Sequence, residues 1–479
     1  MLFNSFEFAV FFPTVVLLYY ALPRSARPML LLIASGAFYM AFIPAYILVL
    51  AFIIVVDYAA GRLIEASTGF ARRGFLLMSI AANVGTLAVF KYYGFLEANL
   101  QALGAAAGRT LTLPTLLIVL PIGLSFHTFQ AMRYTVEVYR GNWRAERDFV
   151  TYALYVMFFP QLVAGPIERP QHLIPQLRAM PDPDEADITD GLKLMAWGLF
   201  KKVAIADRLA VLVNDVYARP LEYQAPALLI AAIFFAFQVY CDFSGYSDLA
   251  IGAAQVLGID LRINFRRPFL STSIAEFWTR WHVSLSSWFR DYVYIPIGGN
   301  RVSRARWLRN VIVAFLLSGL WHGASWTFVA WGFLNAVFLL TGVLTRPLRD
   351  RVWCRLGFDS TSAFVRTSRR VTTFGLVCMT FIVFRAASFN DAFHILGRLL
   401  DVRHWSGLSD LTFYGVWPAY GACAICSLVL VEAFQRSDDP REWVRATPAL
   451  ARWSLYYALF AATVVFGSFE ASPFIYFQF

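Results

Sequence analysis

The chain reads as long apolar runs separated by short, arginine-rich polar stretches. Runs near 5–22, 29–43, 45–61, 75–95, 113–132, 149–166, 190–206, 226–256, 310–343, 371–387, 414–434 and 453–469 are candidate membrane helices, because one crossing needs ~20 apolar residues. Several are too long or too short for a simple span, so the pattern predicts about 11–13 transmembrane or re-entrant helices. The runs do not alternate with period two, which argues against a membrane β-barrel. The expected fold class is an all-α polytopic membrane protein. No internal repeat or low-complexity linker divides it, so one membrane domain is expected over 1–479. Within it, N-terminal helices fill about 1–112, a core about 113–345 and C-terminal helices about 371–479.

Charge at the ends of the runs gives the orientation, since cytoplasmic loops collect Lys and Arg. Arg24 and Arg27 place the first loop inside and the N-terminus outside. Arg62, Arg72 and Arg73 mark the inside again, the charge-poor 98–112 loop reads as outside, and Arg133, Arg140, Arg144 and Arg147 return inside. The stretch Ile259–Arg309 holds nine Arg against Asp260, Glu276 and Asp291, and Thr345–Val371 holds seven against Asp350 and Asp359. Both read as cytoplasmic. The run from about Asn310 to Val343 then begins and ends on one side, so it must be a tight hairpin or a broken, re-entrant element.

Composition supports this frame. Of 479 residues, 59% are hydrophobic and only 15% charged, and mean hydropathy is +0.57, far from the charge content of a soluble domain. The 17% aromatic content suits interfacial belts. The net charge of +10 fits basic cytoplasmic loops and implies contact with a lipid bilayer, not with nucleic acid. The N-terminus carries Glu7 and has its positive charge after the apolar run, so it reads as a retained span and not as a cleaved signal. The five Cys residues form no disulfide framework, and the Cys423-x-x-Cys426 pair lies in an apolar run with no second ligand pair.

The chemistry concentrates in a few polar insertions. "LSGLWHGASWTF", Leu317 to Phe328, puts His322 at membrane depth, where an ionisable side chain is costly and marks a functional site. On an uninterrupted helix His322 shares a face with Ser318, Gly319, Ser325 and Trp326. The competing reading is a neutral imidazole bridging two helices. "EFWTRWHVSLSSWFRDYVYIPIGGNR", Glu276 to Arg301, reads as an amphipathic or re-entrant helix ended by "PIGGN". It carries a Glu276–Arg280 pair in the favourable i, i+4 order, and Trp278 and His282 on one face. "FQVYCDFSGYSDLAIG" buries Asp242 and Asp248 near Gln238. Two such carboxylates need partners; they orient an imidazole, line a polar tunnel, or pair with Arg from the 259–309 stretch, structural pairing being favoured. Glu168, Arg169, Lys201 and Lys202 sit at a membrane boundary as phosphate contacts or as topology markers. No P-loop, G-x-G-x-x-G, H-E-x-x-H or G-x-S-x-G occurs, and the six His and five Cys show no metal-ligand spacing, so no bound cofactor or metal is expected.

The motifs "PIGLSFHTFQ", "FFPQLVAGPIERP", "GLFKKVAIADRL", "YCDFSGYSDLAIG", "LSGLWHGASWTFVAWG", "FRAAS" and the terminal "FIYFQF", together with the stretch around His282, resemble the membrane-bound O-acyltransferase family. Within it they are similar to the bacterial alginate O-acetylation branch, with the D-alanine transfer proteins of Gram-positive walls more distant. The resemblance runs in order along nearly the whole chain. His127 stands where alginate-type proteins often have Tyr, which leaves the acceptor polymer open.

The resemblance implies a helical funnel in the bacterial inner membrane, where an acetyl thioester such as acetyl-CoA, arriving from the cytosol, meets an extracytoplasmic polysaccharide acceptor. It implies His322 as general base and His282 as a second catalytic histidine. The expected substrate contacts are Trp321, Ser325, Trp326, Trp278, Arg290, Asp242 and Asp248. Accessory periplasmic or lipoprotein acetylation partners are also implied. A base takes the alcohol proton in acyl transfer, and an imidazole, with an ordinary pKa near ~6.5, suits that task. Two other readings stay open. One is an acetyl transporter or relay whose partner performs the final transfer, although transporters usually show helical repeats. The other is a polysaccharide polymerase or flippase, which the lack of a nucleotide-sugar domain disfavours.

Overall fold

A computed structural model describes residues 1–479 apart from 115, 117, 118, 164, 406–413, 436, 470–473 and 476–479. Helix is the only regular structure among the described residues. The chain packs as two compact units, 1–196 with 246–262, and 197–245 with 263–479.

The first unit contains α1 (Phe6–Ala21), α2 (Arg27–Met40), α3 (Ile47–Ala66), α4 (Gly69–Leu87), α5 (Tyr93–Ala106), α6 (Leu124–Tyr139), α7 (Phe149–Met157), the short α8 (Phe159–Leu162), α9 (Pro170–Ala179) and most of α10 (Glu185–Phe200). Ser5 starts α1 by accepting the Phe8 N–H, which satisfies one of the open donors of a helix start. A buried polar knot ties α3, α4 and α6. Asp57 accepts Ser79 Oγ–H and, at 2.7 Å, Asn83 Nδ2–H. Ser79 in turn lies 3.0 Å from Thr135 Oγ1. A carboxylate at this depth is tolerated only with such partners.

The second unit holds α11 (Asp207–Ala218), the first part of α12 (Ala225–Val256), α13 (Ile274–Arg280), α14 (Val283–Phe289), α15 (Arg304–His322), α16 (Trp326–Leu344), α17 (Arg346–Arg355), α18 (Ala363–Arg385), α19 (Phe389–Leu400), α20 (Trp417–Phe434), α21 (Pro440–Arg445) and α22 (Ala449–Phe466). Single π-helical turns join α4 to α5, α10 to α11, and follow α14.

Among the described residues six helical stretches are long and apolar enough to cross a membrane: Pro44–Ala66, Gly69–Ala106, Ala225–Val256, Trp326–Leu344, Trp417–Phe434 and Ala449–Phe466. Two shorter apolar helices, Phe6–Ala21 and Arg27–Met40, join them. Their outer faces are apolar: α22 buries none of its side chains, and Leu450 is 84% exposed. Such continuous apolar surface is a lipid-facing surface, not a water-facing one. The protein is a multi-pass α-helical membrane protein.

Two expected spans take another form. The 113–132 run becomes helical only at Leu124, because Pro121 and a left-handed Gly123 (φ 72°) precede it; residues 115, 117 and 118 of this run lie outside the described set. The 149–166 run is interrupted at Phe158 (ψ 115°), just ahead of Pro160.

The 310–343 run is the hairpin that its flanking charges required. α15 and α16 pack antiparallel and very closely. A Cβ on Gly319 would lie 2.2 Å from the Phe328 carbonyl oxygen, so only glycine permits that approach. The turn is set by Gly323, whose backbone is extended and whose added Cβ would strike the Phe328 ring at 2.1 Å.

Candidate active site

α15 ends at His322, so the imidazole sits at the inner corner of the hairpin. It is only 3% exposed and enclosed by rings: Trp321 at 5.0 Å, Trp331 of α16 at 4.9 Å and Phe384 of α18 at 5.4 Å between centroids. All three contacts are edge-on, the arrangement aromatic quadrupoles favour.

The break after His322 corrects one sequence expectation. Trp326 does not share a helical face with His322, because residues 323–325 leave the helix and Trp326 restarts it 55% exposed. Trp331, one turn further into α16, takes the place beside the imidazole. Ser325 caps α16: its Oγ accepts the Thr327 N–H and lies 3.0 Å from Thr327 Oγ1. Ser318 is buried within α15.

His282 reaches the same cluster through Trp321. Its ring lies 6.1 Å from Trp321 and 4.6 Å from Phe243 of α12. The helix expected from Glu276 up to "PIGGN" is broken here: α13 stops at Arg280, Trp281 is extended, and His282 adopts a left-handed φ of 44°. Trp278 and His282 therefore do not share one helical face. A left-handed residue with a side chain carries strain and persists only where its surroundings hold it. The holder is Asn264, itself buried. Its Oδ1 accepts the Ser284 N–H at 3.1 Å and the Ser284 hydroxyl at 3.0 Å, and His282 Nδ1 lies 3.2 Å away.

That geometry defines the His282 tautomer. The Ser284 backbone N–H can only donate, so the Asn264 atom it meets is the carbonyl oxygen, and Nδ1 must carry the proton. Burial pushes the His282 imidazole down to about 3, so the ring is neutral in the ordinary pH range. Its Nε2 then bears the lone pair and is an acceptor, not a donor.

The other expected residues divide cleanly. Trp278 joins the cluster, with its ring 5.6 Å from Trp331 and 5.4 Å from Phe315. Arg290 pairs its Nε with Asp291 at 2.8 Å and leaves its side chain largely exposed. Asp242 is structural in its contacts: it pairs with Lys202 at 2.7 Å and accepts the Ile475 N–H at 2.7 Å, tying the C-terminal segment to α12. Asp207 meets the same ammonium at 2.8 Å. Lys202 and Lys201 are both buried, Lys201 reaching Ser244 at 2.9 Å. Asp248 is half-buried further along α12, in the first unit. In that unit His127 is buried with Nε2 2.8 Å from the Leu162 carbonyl, and Glu168 pairs with His172 at 3.0 Å.

Three cluster members escaped the sequence reading as site residues. Trp331 and Phe384 lie in the quoted motifs "TFVAWG" and "FRAAS" but at no helical spacing from His322. Asn264 lies 18 positions before His282 in a loop, where no periodicity points to it.

The assembled cluster brings the His322 and His282 rings against one indole, that of Trp321, in a buried aromatic setting. Among the described residues no group of His, Cys, Asp and Glu is arranged for a metal ion.

Comparison with known proteins identifies the family. Residues 144–365 match the model of the membrane-bound O-acyltransferase family. The chain is 35% identical to a protein of Azotobacter vinelandii named as a probable alginate O-acetylase, over the full length of both. It is 33% identical to the protein of that name in Pseudomonas putida, again over the full length of both. It is 30% identical to the peptidoglycan O-acetyltransferase of Helicobacter pylori, covering 100% of this chain and 98% of that protein. The chain belongs to the membrane-bound O-acyltransferase family, in the alginate O-acetylase branch, and is an O-acyltransferase.

Proposed function

We propose that this protein moves an acetyl group from a cytosolic thioester, acetyl-CoA or a similar donor, to hydroxyls of an extracytoplasmic polysaccharide, with His322 as general base. The observation that carries this reading is the Trp321 cluster, which brings both His322 and His282 against one ring. The names of the alginate relatives support alginate or a similar exopolysaccharide as acceptor, while the Helicobacter pylori relative is named for peptidoglycan. The bacterial inner membrane is the matching location, and partner proteins outside it would deliver or finish the polymer.

In this reaction the acceptor O–H gives its proton to the His322 imidazole as the new C–O bond forms. The tetrahedral intermediate then collapses, the C–S bond breaks, and the imidazolium returns the proton to the departing thiolate. The neutral His282, with Nε2 as acceptor, orients the attacking hydroxyl. The surrounding rings exclude water, which keeps the thioester from hydrolysis. A general base of this kind contributes about 10²–10⁴-fold.

The competing relay reading places the final transfer on a partner. Inverted membrane vesicles supplied with labelled acetyl-CoA separate the two. Loss of acetyl from the donor that disappears in His322→Ala supports chemistry in this chain. Equal loss in wild type and variant refutes it.

A further inference from the structure

The acyl-transfer reading leaves one role unfilled: a donor for the carbonyl oxygen, which becomes an oxyanion in the intermediate. His282 does not fill it, because its proton sits on Nδ1 toward Asn264. Ser325 has its hydroxyl engaged with Thr327.

Two indole N–H groups in the same cluster are buried and have no hydrogen-bond partner among the described residues: Trp331 Nε1 and Trp278 Nε1. A buried indole N–H ordinarily finds an acceptor, and an orphaned one in a native structure calls for an explanation such as a catalytic role. Trp331 is 1% exposed. Its ring is 4.9 Å from the His322 ring, and the Trp278 ring is 5.6 Å from that of Trp331. One unsatisfied donor thus lies on the ring that touches the proposed base, and the second lies on the next ring of the same cluster.

We propose that Trp331 and Trp278 hold the carbonyl oxygen of the acyl thioester and its oxyanion. As the acceptor oxygen bonds to the carbonyl carbon, the C=O electron pair moves onto the oxygen held by the indoles, and the acceptor proton passes to His322. When the oxyanion re-forms the carbonyl, the C–S bond breaks and the thiolate takes the proton back. The oxygen's charge is largest in the transition state, so these donors act mainly on turnover and little on donor binding. This inference rests on the acyl-transfer reading, and its test keeps the two apart.

The test uses the full-length protein in inverted vesicles with labelled acetyl-CoA as probe, measuring initial rate against donor concentration. Trp331 is replaced by benzothienylalanine, which keeps the bicyclic ring and exchanges the N–H for sulfur. Trp331→Phe and Trp278→Phe are made beside it. The expected result is a fall in turnover of about 100-fold or more for each position, near the loss on removing one oxyanion donor, with KM within about threefold. Polymer acetyl esters in intact cells, where the natural donor is present, should fall with the same ranking. Should Trp331→Phe fail to accumulate, the isosteric replacement decides. Turnover within about threefold of wild type for the benzothienylalanine protein overturns the proposal. His322→Ala, run in parallel, reports on the base separately: an inactive His322→Ala beside active indole variants removes the donor pair and leaves the base. Active His322→Ala beside inactive indole variants does the reverse.

Discussion

Replacing Asn264 by Ala should damage both stability and transfer, because one oxygen holds His282 in place. The Asn264 Oδ1 accepts the Ser284 N–H, the Ser284 hydroxyl and the His282 Nδ1–H at 3.0–3.2 Å. The hydroxyl can rotate to another acceptor. The N–H and the Nδ1–H cannot, and each buried donor left without a partner costs about 1–3 kcal/mol. The two together reach about 2–6 kcal/mol if additive, and water entering the space left by the amide brings the figure toward the lower half. His282 also loses the contact that sustains its left-handed φ of 44°, so its ring should leave the Trp321 cluster and transfer should drop beyond what lower protein level explains. Thermal unfolding of the detergent-purified protein, with polymer acetylation normalised to membrane level, measures both effects. Asn264→Asp retains an acceptor oxygen and should recover more activity than Asn264→Ala. An unchanged unfolding temperature and full acetylation in Asn264→Ala would refute the reasoning.

Lys202→Met should abolish accumulation in the membrane, since it strands Asp207 and Asp242 without their shared ammonium; breaking a buried pair costs about 3–5 kcal/mol, and a blot showing normal levels would count against this. His172 supplies a pH test. Hydrogen bonds to Asp260 and Glu168 raise its imidazole to about 9. A raised folded-state value means the stabilisation is complete below about 6.5, the unfolded value, and is lost as pH rises through about 9. Thermal stability should therefore fall between those limits, and His172→Gln should flatten that slope. Single cysteines within 300–306 and 366–370 should label from the same membrane face, as the α15–α16 hairpin demands; labelling from opposite faces would contradict the topology.

Much of the architecture was legible because hydrophobic length and loop charge are strong, local signals. The hairpin over 310–343 followed from Arg counts on its two flanks, and the Glu276–Arg280 pair from i, i+4 spacing, seen at 2.7 Å. The candidate site was legible in its histidines but not in its partners. Helical periodicity assigned Trp326 to His322, yet Gly323, which must be glycine against the Phe328 ring, ends the helix one residue later. Once the helix breaks, spacing along the chain says nothing about neighbours, and Trp331 and Phe384 become visible only in three dimensions. The same holds for Asn264, a loop residue, and for Asp242, whose partner Lys202 comes from another helical segment 40 positions away. The pairing expected for that carboxylate was structural, and the structure supplies it, from Lys202 rather than from the arginines of the 259–309 stretch.

The central claim is that proton transfer at His322 drives acetyl transfer. Its most direct test is the acetyl-ester content of the extracellular polymer from cells carrying His322→Ala, with the protein's membrane level checked by blot. The expected result is a normal protein level and polymer without acetyl esters. Normal protein with normally acetylated polymer would contradict it, reduce His322 to a packing residue of the hairpin, and move the chemistry to a partner.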